Sequence, residues 1–332
     1  MKNGKLGVAL VGLGTYSSDQ LGPALRQTKH CYLAGIVTGS KTKATSWQSA
    51  YDLPESACYD YESFDAVKDN PEIDIIYIVL PNSMHAEYTI RAVQAGKHVI
   101  CEKPMAITVE ECDRMITACN EAGKLLSIGY RLHFDPHNRE AMRIGRKKVF
   151  GEPKLIEAEH SLEKVEGWRI NKELSGGGPL MDVGIYCVQA VRYVTGLEPV
   201  AVTAQEGFKH HPEKFNSVEE SITWQMEMPN GVVAKCGSSY SEKQSRLRVE
   251  AERGWFELFP AYSYTGIKGK TSAGELNLPQ AFQQALQMDD FALCVKEGRQ
   301  SKLSGEEGRQ DVKILQAIYK AMETGERVLI DS

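Results

Sequence analysis

Several things are scarce in this chain, and each scarcity removes a class of function. Its longest apolar run, Ile75 to Leu80, is six residues, far short of the roughly 20 that a membrane-spanning helix needs. That run reads as a buried strand, and no membrane is expected as a partner. There is no surplus of basic charge: 39 Lys+Arg stand against 44 Asp+Glu, a formal charge of −5. A nucleic-acid footprint is therefore not expected. The 8 cysteines are scattered, without a CxxC pair or a regular spacing, which argues against a disulfide framework or a zinc site and for a reducing, cytoplasmic setting. His133 and His137 have the spacing of a metal pair, but Pro136 between them disfavours the unbroken helix such a site uses, so no metal is assigned. Neither an internal repeat nor a low-complexity tract is present.

What remains is an ordinary globular composition, 42% apolar over 332 residues, long enough for about two domains. Residues 1–130 alternate short apolar strands with amphipathic helices, the pattern of right-handed βαβ units on a parallel sheet. Strands are expected at Leu6 to Val11, Tyr32 to Val37, Ile75 to Leu80, His98 to Cys101 and Leu125 to Gly129. Helices are expected near Ser18 to Gln27, Lys43 to Tyr51, Met84 to Ala95 and Val109 to Ala122. From about Gly151 the strands lengthen and alternate, as in an open, mainly antiparallel sheet: Lys154 to Ser161, Val200 to Gly207, Ser217 to Met228, Gly231 to Ser239, Arg246 to Glu252 and Trp255 to Phe259. Helices are expected over Gly178 to Thr195, Pro279 to Lys296 and Glu306 to Thr324, and Ala261 to Leu278 reads as an exposed loop. The chain is thus α/β. Residues 131–332 form the second domain, with the C-terminal helices free to pack back on the first.

Val11-Gly12-Leu13-Gly14-Thr15-Tyr16-Ser17 follows the first strand and opens a helix. Gly12 suits the tight turn, and Gly14 lets backbone N–H groups approach a pyrophosphate. At the end of the second strand, where a carboxylate would bind the ribose of NAD, the chain reads Thr38-Gly39-Ser40-Lys41-Thr42-Lys43. Hydroxyl and ammonium groups there suit a 2′-phosphate, so NADP(H) is favoured over NAD(H). Leu80-Pro81-Asn82-Ser83-Met84-His85 and Cys101-Glu102-Lys103-Pro104 end the next strands at the carboxyl edge, where such sheets bind ligands. The Lys-Pro step is a place for a cis bond. Farther on, Gly176-Gly177-Gly178 leads into a helix carrying Asp182 and Tyr186 four residues apart, on one face. Tyr186 could exchange a proton and Asp182 could anchor a hydroxyl. The same residues also suit a helix-dipole carboxylate and a packed core tyrosine.

Together the Gly12 loop, Glu102-Lys103-Pro104 and the Gly176 to Tyr186 segment resemble the glucose-fructose oxidoreductase and inositol dehydrogenase family (Gfo/Idh/MocA), and most nearly its glucose-fructose oxidoreductase branch. Leu80 to Glu87, Gly96 to Ala106, Gly129 to Pro136, Trp168-Arg169, Ser238 to Ser241 and Gly305 to Val312 continue the likeness over essentially the whole chain. The resemblance implies an NADP-binding Rossmann domain and a substrate-binding domain whose open sheet joins copies into a homodimer or homotetramer. It implies hydride transfer to or from a sugar, aldose to lactone or the reverse carbonyl reduction. Gly12, Gly14, Thr15 and Tyr16 match the phosphate loop. Thr38 and Lys43, with Ser40 beside them, match the 2′-phosphate site. Tyr61, Leu80, Pro81, Asn82, His85, Glu102, Arg131, Trp168 and Arg169 match cofactor-lining positions, and Lys103, Asp182 and Tyr186 the reaction centre. Tyr186 stands where inositol dehydrogenases of this family carry His. The glucose-fructose enzyme has an export signal and an N-terminal arm, whereas only about five residues precede the first strand here. An NAD(H)-linked inositol or polyol dehydrogenase and a non-catalytic NADP-sensing regulator are the alternatives of the same fold.

Overall fold

A computed structural model describes residues 4–331, so positions 1–3 and 332 of the expected domains lie outside the described residues. The chain divides into two compact units. One runs to Arg131 and takes in Phe282–Arg309; the other comprises Leu132–Ala281 and the chain from Gln310 onward.

In the first unit, β1 (Leu6–Val11), β2 (Cys31–Val37), β3 (Cys58–Tyr59), β4 (Ile75–Ile78), β5 (His98–Cys101) and β6 (Leu126–Ile128) form one sheet in the order β3-β2-β1-β4-β5-β6. Every pairing is parallel. β1 and β4 are buried along their whole length, which is why they read as unbroken apolar runs rather than alternating ones. The order reverses between β1 and β4, and ligands of open α/β sheets bind beyond the strand ends at that point. The two-residue β3 was absent from the expected strands, being too short for any periodicity to register. Helices Lys41–Tyr51, His85–Gln94 and Val109–Glu121 cover the sheet near their expected places.

Phe282–Arg309 joins this unit through its helix Gln283–Glu297. That helix buries Ala285, Met288, Phe291, Ala292 and Cys294 in one cluster with Leu6, Val8, Leu10, Leu21 and Leu25. Asp289 then accepts hydrogen bonds from the Lys29 and His30 N–H groups, at 2.9 and 2.7 Å. Apolar burial brings the helix in, and a carboxylate on two backbone donors fixes its register.

The second unit is built on a nine-stranded sheet: β7 (Pro153–His160), β8 (Ala201–Glu206), β9 (Ser221–Glu227), β10 (Val233–Ser239), β11 (Ser245–Ala251), β12 (Gly254–Leu258), β13 (Gly269–Thr271), β14 (Gly274–Leu276) and β15 (Val328–Leu329). Their order is β14-β13-β12-β11-β7-β10-β9-β8-β15. All these pairings are antiparallel except β7 with β10, where four helical segments and two strands intervene before the chain returns, so the sheet is mainly antiparallel, as expected. Inward residues such as Ile222, Trp224 and Met226 alternate with outward Thr223 and Gln225. The outward face, with Glu157, Glu159, Thr203, Gln205 and Lys235, lines a shallow concavity of about 480 Å³. Ala261 to Leu278 is not the exposed loop its polar composition suggested. Ala261, Tyr262 and Ile267 are buried, and β13 and β14 form a hairpin within it.

The helix expected over Gly178 to Thr195 has two parts, a wide π turn at Leu180–Gly184 and an α-helix at Ile185–Thr195. No apolar period announces such a turn. No helix among the described residues is long and apolar enough to cross a membrane.

Candidate active site

The loop after β1 is shaped by Gly12, whose φ is +93°. A Cβ there would also lie 2.4 Å from the Val79 carbonyl oxygen, whereas one on Gly14 would meet nothing within 4 Å. Gly12 is thus demanded by the fold, and Gly14 leaves the loop's outer side open to a ligand's approach. Ser17 Oγ donates to the Gly12 carbonyl at 2.6 Å and holds the turn. Thr15 and Tyr16 open the helical segment that follows the loop, and Tyr16 packs on the core of this unit.

At the end of β2 the Thr38 side chain is buried, and its Oγ1 accepts the Ser40 N–H at 3.3 Å. Ser40 caps helix Lys41–Tyr51 by accepting the Lys43 N–H, which leaves its hydroxyl hydrogen to donate elsewhere. The stretch from Val37 to Lys43 holds no carboxylate. Gly39 lies flat against the Tyr61 ring, so that a Cβ would be 3.4 Å from it. An open phosphate loop, a helix N-terminus and two lysines together fit a dinucleotide bearing a 2′-phosphate.

Leu80 and Asn82 are buried beyond β4, and Pro81 opens a short 3₁₀ turn there. His85, expected against the cofactor, is turned inward: it is 1% exposed, with Nδ1 2.9 Å from the Pro104 carbonyl and Nε2 2.9 Å from the Leu80 carbonyl. Each ring nitrogen faces a backbone carbonyl, and the neutral ring donates to one of the two, so the imidazole is lodged between the β4 and β5 loops. Burial pulls its pKa below the ordinary value, opposed by the two carbonyls.

Glu102, which precedes Lys103 in the chain, is buried. Its Oε1 accepts from the Tyr77 hydroxyl at 2.8 Å and its Oε2 from the Lys103 N–H at 3.2 Å, while Gln287 Nε2 donates to the Tyr77 oxygen at 2.8 Å. Burial raises the Glu102 pKa and the Lys103 charge counters it. A Cβ on Gly129 would stand 2.6 Å from the Glu102 carboxylate, so this glycine is required by close approach. The Lys103–Pro104 peptide bond is cis. Arg131 is buried with Nη1 on Gln283 Oε1.

In the second unit, Asp182 in the π turn is 6% exposed, and its Oδ2 accepts from Arg169 Nε at 2.8 Å and from the Tyr240 hydroxyl at 3.2 Å. The guanidinium carbon of Arg169 stacks 4.6 Å from the Trp168 ring centre. Arg169, expected to line the cofactor, thus holds a residue of the expected reaction centre, and the Asp182 carboxylate raises the Arg169 pKa in return. Burial pushes the Tyr240 hydroxyl well upward. The Gly177-Gly178 approach to the turn is fixed by Glu219, whose carboxylate accepts the Gly178 N–H at 2.9 Å, the Leu180 N–H at 3.1 Å and the Tyr319 hydroxyl at 2.8 Å. Tyr186 lies in the first turn of the α-helix, with its ring beside those of His160 and Tyr262.

Lys103 therefore belongs to the first unit, and Asp182 and Tyr186 to the second. Sequence reasoning missed Tyr240, Glu219, His160 and Tyr262. Only Tyr240 carried a local signal, its place in the Ser238-Ser239-Tyr240-Ser241 run. Among the described residues, no group of three or more His, Cys, Asp or Glu could hold a metal ion.

Comparison with known proteins agrees with this geometry. Residues 6–130 match the model of the GFO/IDH/MocA oxidoreductase family with its NAD-binding Rossmann fold, and residues 138–257 match the GFO/IDH/MocA C-terminal domain. An aldose-aldose oxidoreductase from Caulobacter crescentus, solved with glycerol, is 40% identical with a TM-score of 0.95, over 98% of this chain and 99% of that one. The D-xylose 1-dehydrogenase [NADP(+)] of Haloarcula marismortui is 29% identical over 97% of this chain and 92% of its own length. The 1,5-anhydro-D-fructose reductase of Ensifer adhaerens is 25% identical over 97% and 98%. The chain belongs to the Gfo/Idh/MocA family of oxidoreductases, and its first unit is the Rossmann NAD(P)-binding part of that fold.

Proposed function

We propose that this chain is an NADP(H)-dependent oxidoreductase acting on a sugar, converting an aldose to its lactone or reducing a carbonyl in the reverse sense. The observation that carries the reading is the buried Asp182 carboxylate, four residues ahead of Tyr186 and held by the partly exposed Arg169 and the buried Tyr240. A carboxylate held by a guanidinium and a phenol inside the protein keeps a fixed acceptor for a substrate hydroxyl. The names of the two relatives that act on aldoses support the substrate class.

The Gly12–Tyr16 loop, Thr38, Ser40 and Lys43 would hold the nucleotide, with Tyr61, Leu80, Pro81, Asn82, Glu102, Arg131 and Trp168 lining its place. Bound NADP(H) would accept or deliver the hydride. Tyr186 exchanges a proton with the reacting oxygen, and the Lys103 ammonium stabilises negative charge developing there. Asp182 anchors a neighbouring hydroxyl, positioned by Arg169. His85 and Glu102 hold the backbone that carries Lys103. The polar outward face of the second sheet is the surface we assign to contacts between copies.

The test is hydride transfer with a panel of aldoses and both nucleotides. Lys43→Glu should raise KM for NADP+ about tenfold or more, with little change for NAD+, because it places a carboxylate where a phosphate is held. Equal losses with both nucleotides would refute the 2′-phosphate assignment. An absence of turnover with every aldose would refute the substrate class.

A further inference from the structure

One ionisable side chain beside Tyr186 has no task in the mechanism above. His160 ends β7 and is 9% exposed. Its ring stands edge-on to that of Tyr186, with centres 5.4 Å apart and planes at 70°. It also lies 4.9 Å from the ring of Tyr262, itself 6.0 Å from Tyr186. The three rings form one cluster within the second unit.

The imidazole has a defined tautomer. Nδ1 is 3.1 Å from the Gln244 carbonyl oxygen, and a carbonyl can only accept, so Nδ1 carries the hydrogen. In the neutral ring Nε2 is then the basic lone pair. The strand end is fixed as well: Ser238 Oγ is 2.8 Å from the His160 carbonyl and 3.0 Å from that of Pro179, which opens the turn bearing Asp182. Titratable groups packed against His160 within this unit include the phenols of Tyr186 and Tyr262 and, at its backbone, the thiol of Cys187. Burial drives Tyr262 and Cys187 upward, so both stay neutral. The nearest charge on the paired strand, Arg246, follows the residue opposite His160 and is matched by Glu257 and Glu157.

A phenol that keeps its proton is a poor base unless something receives that proton. We propose that His160 acts through Tyr186 as that receiver, an inference resting on the assignment of Tyr186 as acid and base. In the oxidative direction the substrate O–H breaks as a new Tyr186 O–H forms. The former phenolic O–H breaks as Nε2–H forms, leaving an imidazolium whose Nδ1–H stays on Gln244. The hydride leaves carbon with its electron pair for NADP+, so alcohol becomes carbonyl, and the imidazolium later releases the proton to solvent. Reduction runs the same transfers backwards.

The experiment measures kcat and kcat/KM against pH with NADP+ and the aldose turned over fastest, for wild type, His160→Asn, His160→Phe and Tyr186→Phe, with Tm for each. Asn keeps a donor for Gln244 and Phe keeps the ring packing, so at least one retains the local structure. Wild type should show an acidic limb in the imidazole range, falling as pH drops and Nε2 becomes protonated. Both His160 variants should lose that limb and about tenfold or more in kcat, with KM for the aldose little changed. An unaltered limb and kcat in a folded His160 variant, with Tyr186→Phe inactive, would overturn the proposal alone. Full turnover by Tyr186→Phe would instead remove the assignment on which it rests.

Discussion

The two units bury a carboxylate in different ways. In the first, Glu102 accepts hydrogen bonds from neutral donors, the Tyr77 hydroxyl and the Lys103 N–H, and its pKa rises because burial outweighs the Lys103 charge and these donors. In the second, Asp182 sits on the Arg169 guanidinium with the Tyr240 hydroxyl beside it. A carboxylate satisfied by neutral groups fixes backbone position. One paired with a cation keeps its charge inside the protein, where it can act on a ligand. The first arrangement suits an anchor under the Lys103 loop, and the second suits a group that touches substrate.

The contrast breaks most sharply at Arg169. Arg169→Met should lower kcat/KM about 100-fold, because it takes the guanidinium away from the buried Asp182 carboxylate. Combining it with Asp182→Asn should cost much less stability than the two single changes added, as a double-mutant cycle on thermal unfolding would measure. Full additivity would mean that the two side chains do not depend on one another.

Gly129→Ala probes the other carboxylate. The new methyl group meets the Glu102 side chain 2.6 Å away, which should destabilise the first unit by about 1–3 kcal/mol in denaturant unfolding. Activity should fall through the displaced Lys103 loop. A variant of unchanged stability would show that Glu102 is free to move, and the anchor argument would fail.

A smaller effect concerns pH. His98 has its pKa pulled down to about 4 by burial and by the Lys124 charge, and its Nδ1 accepts the Leu125 N–H. The unfolded imidazole titrates near 6.5, so the neutral ring contributes stability above about pH 6.5 that is lost as pH falls towards 4. With the ring partly exposed the effect is about 1 kcal/mol. His98→Asn keeps an acceptor for Leu125 and should flatten the stability profile over that interval. A profile with the same slope would place the acid sensitivity elsewhere.

Much of the first unit was legible because its signals are local. Five of its strands, the Gly12 turn and the helix starting at Lys41 each follow from a few consecutive residues, whose burial or backbone conformation leaves an imprint on composition. The return of Phe282–Arg309 to this unit was not fixed by its own residues. Its apolar face fits any apolar surface, and the Asp289 bonds that set the register link positions some 260 residues apart. The clamp on Asp182 was invisible for the same reason. Arg169 and Tyr240 come from separate elements, and nothing near either names its partner. The i, i+4 spacing of Asp182 and Tyr186 presumed a regular helix, whereas Asp182 lies in a π turn that leaves no imprint on the apolar pattern.

The account stands or falls on the phenol of Tyr186. Tyr186→Phe, assayed for hydride transfer between aldose and NADP+ and for nucleotide affinity by fluorescence titration, should lose at least about 100-fold in kcat while binding NADP+ as tightly as wild type. Undiminished turnover from that variant would contradict it outright.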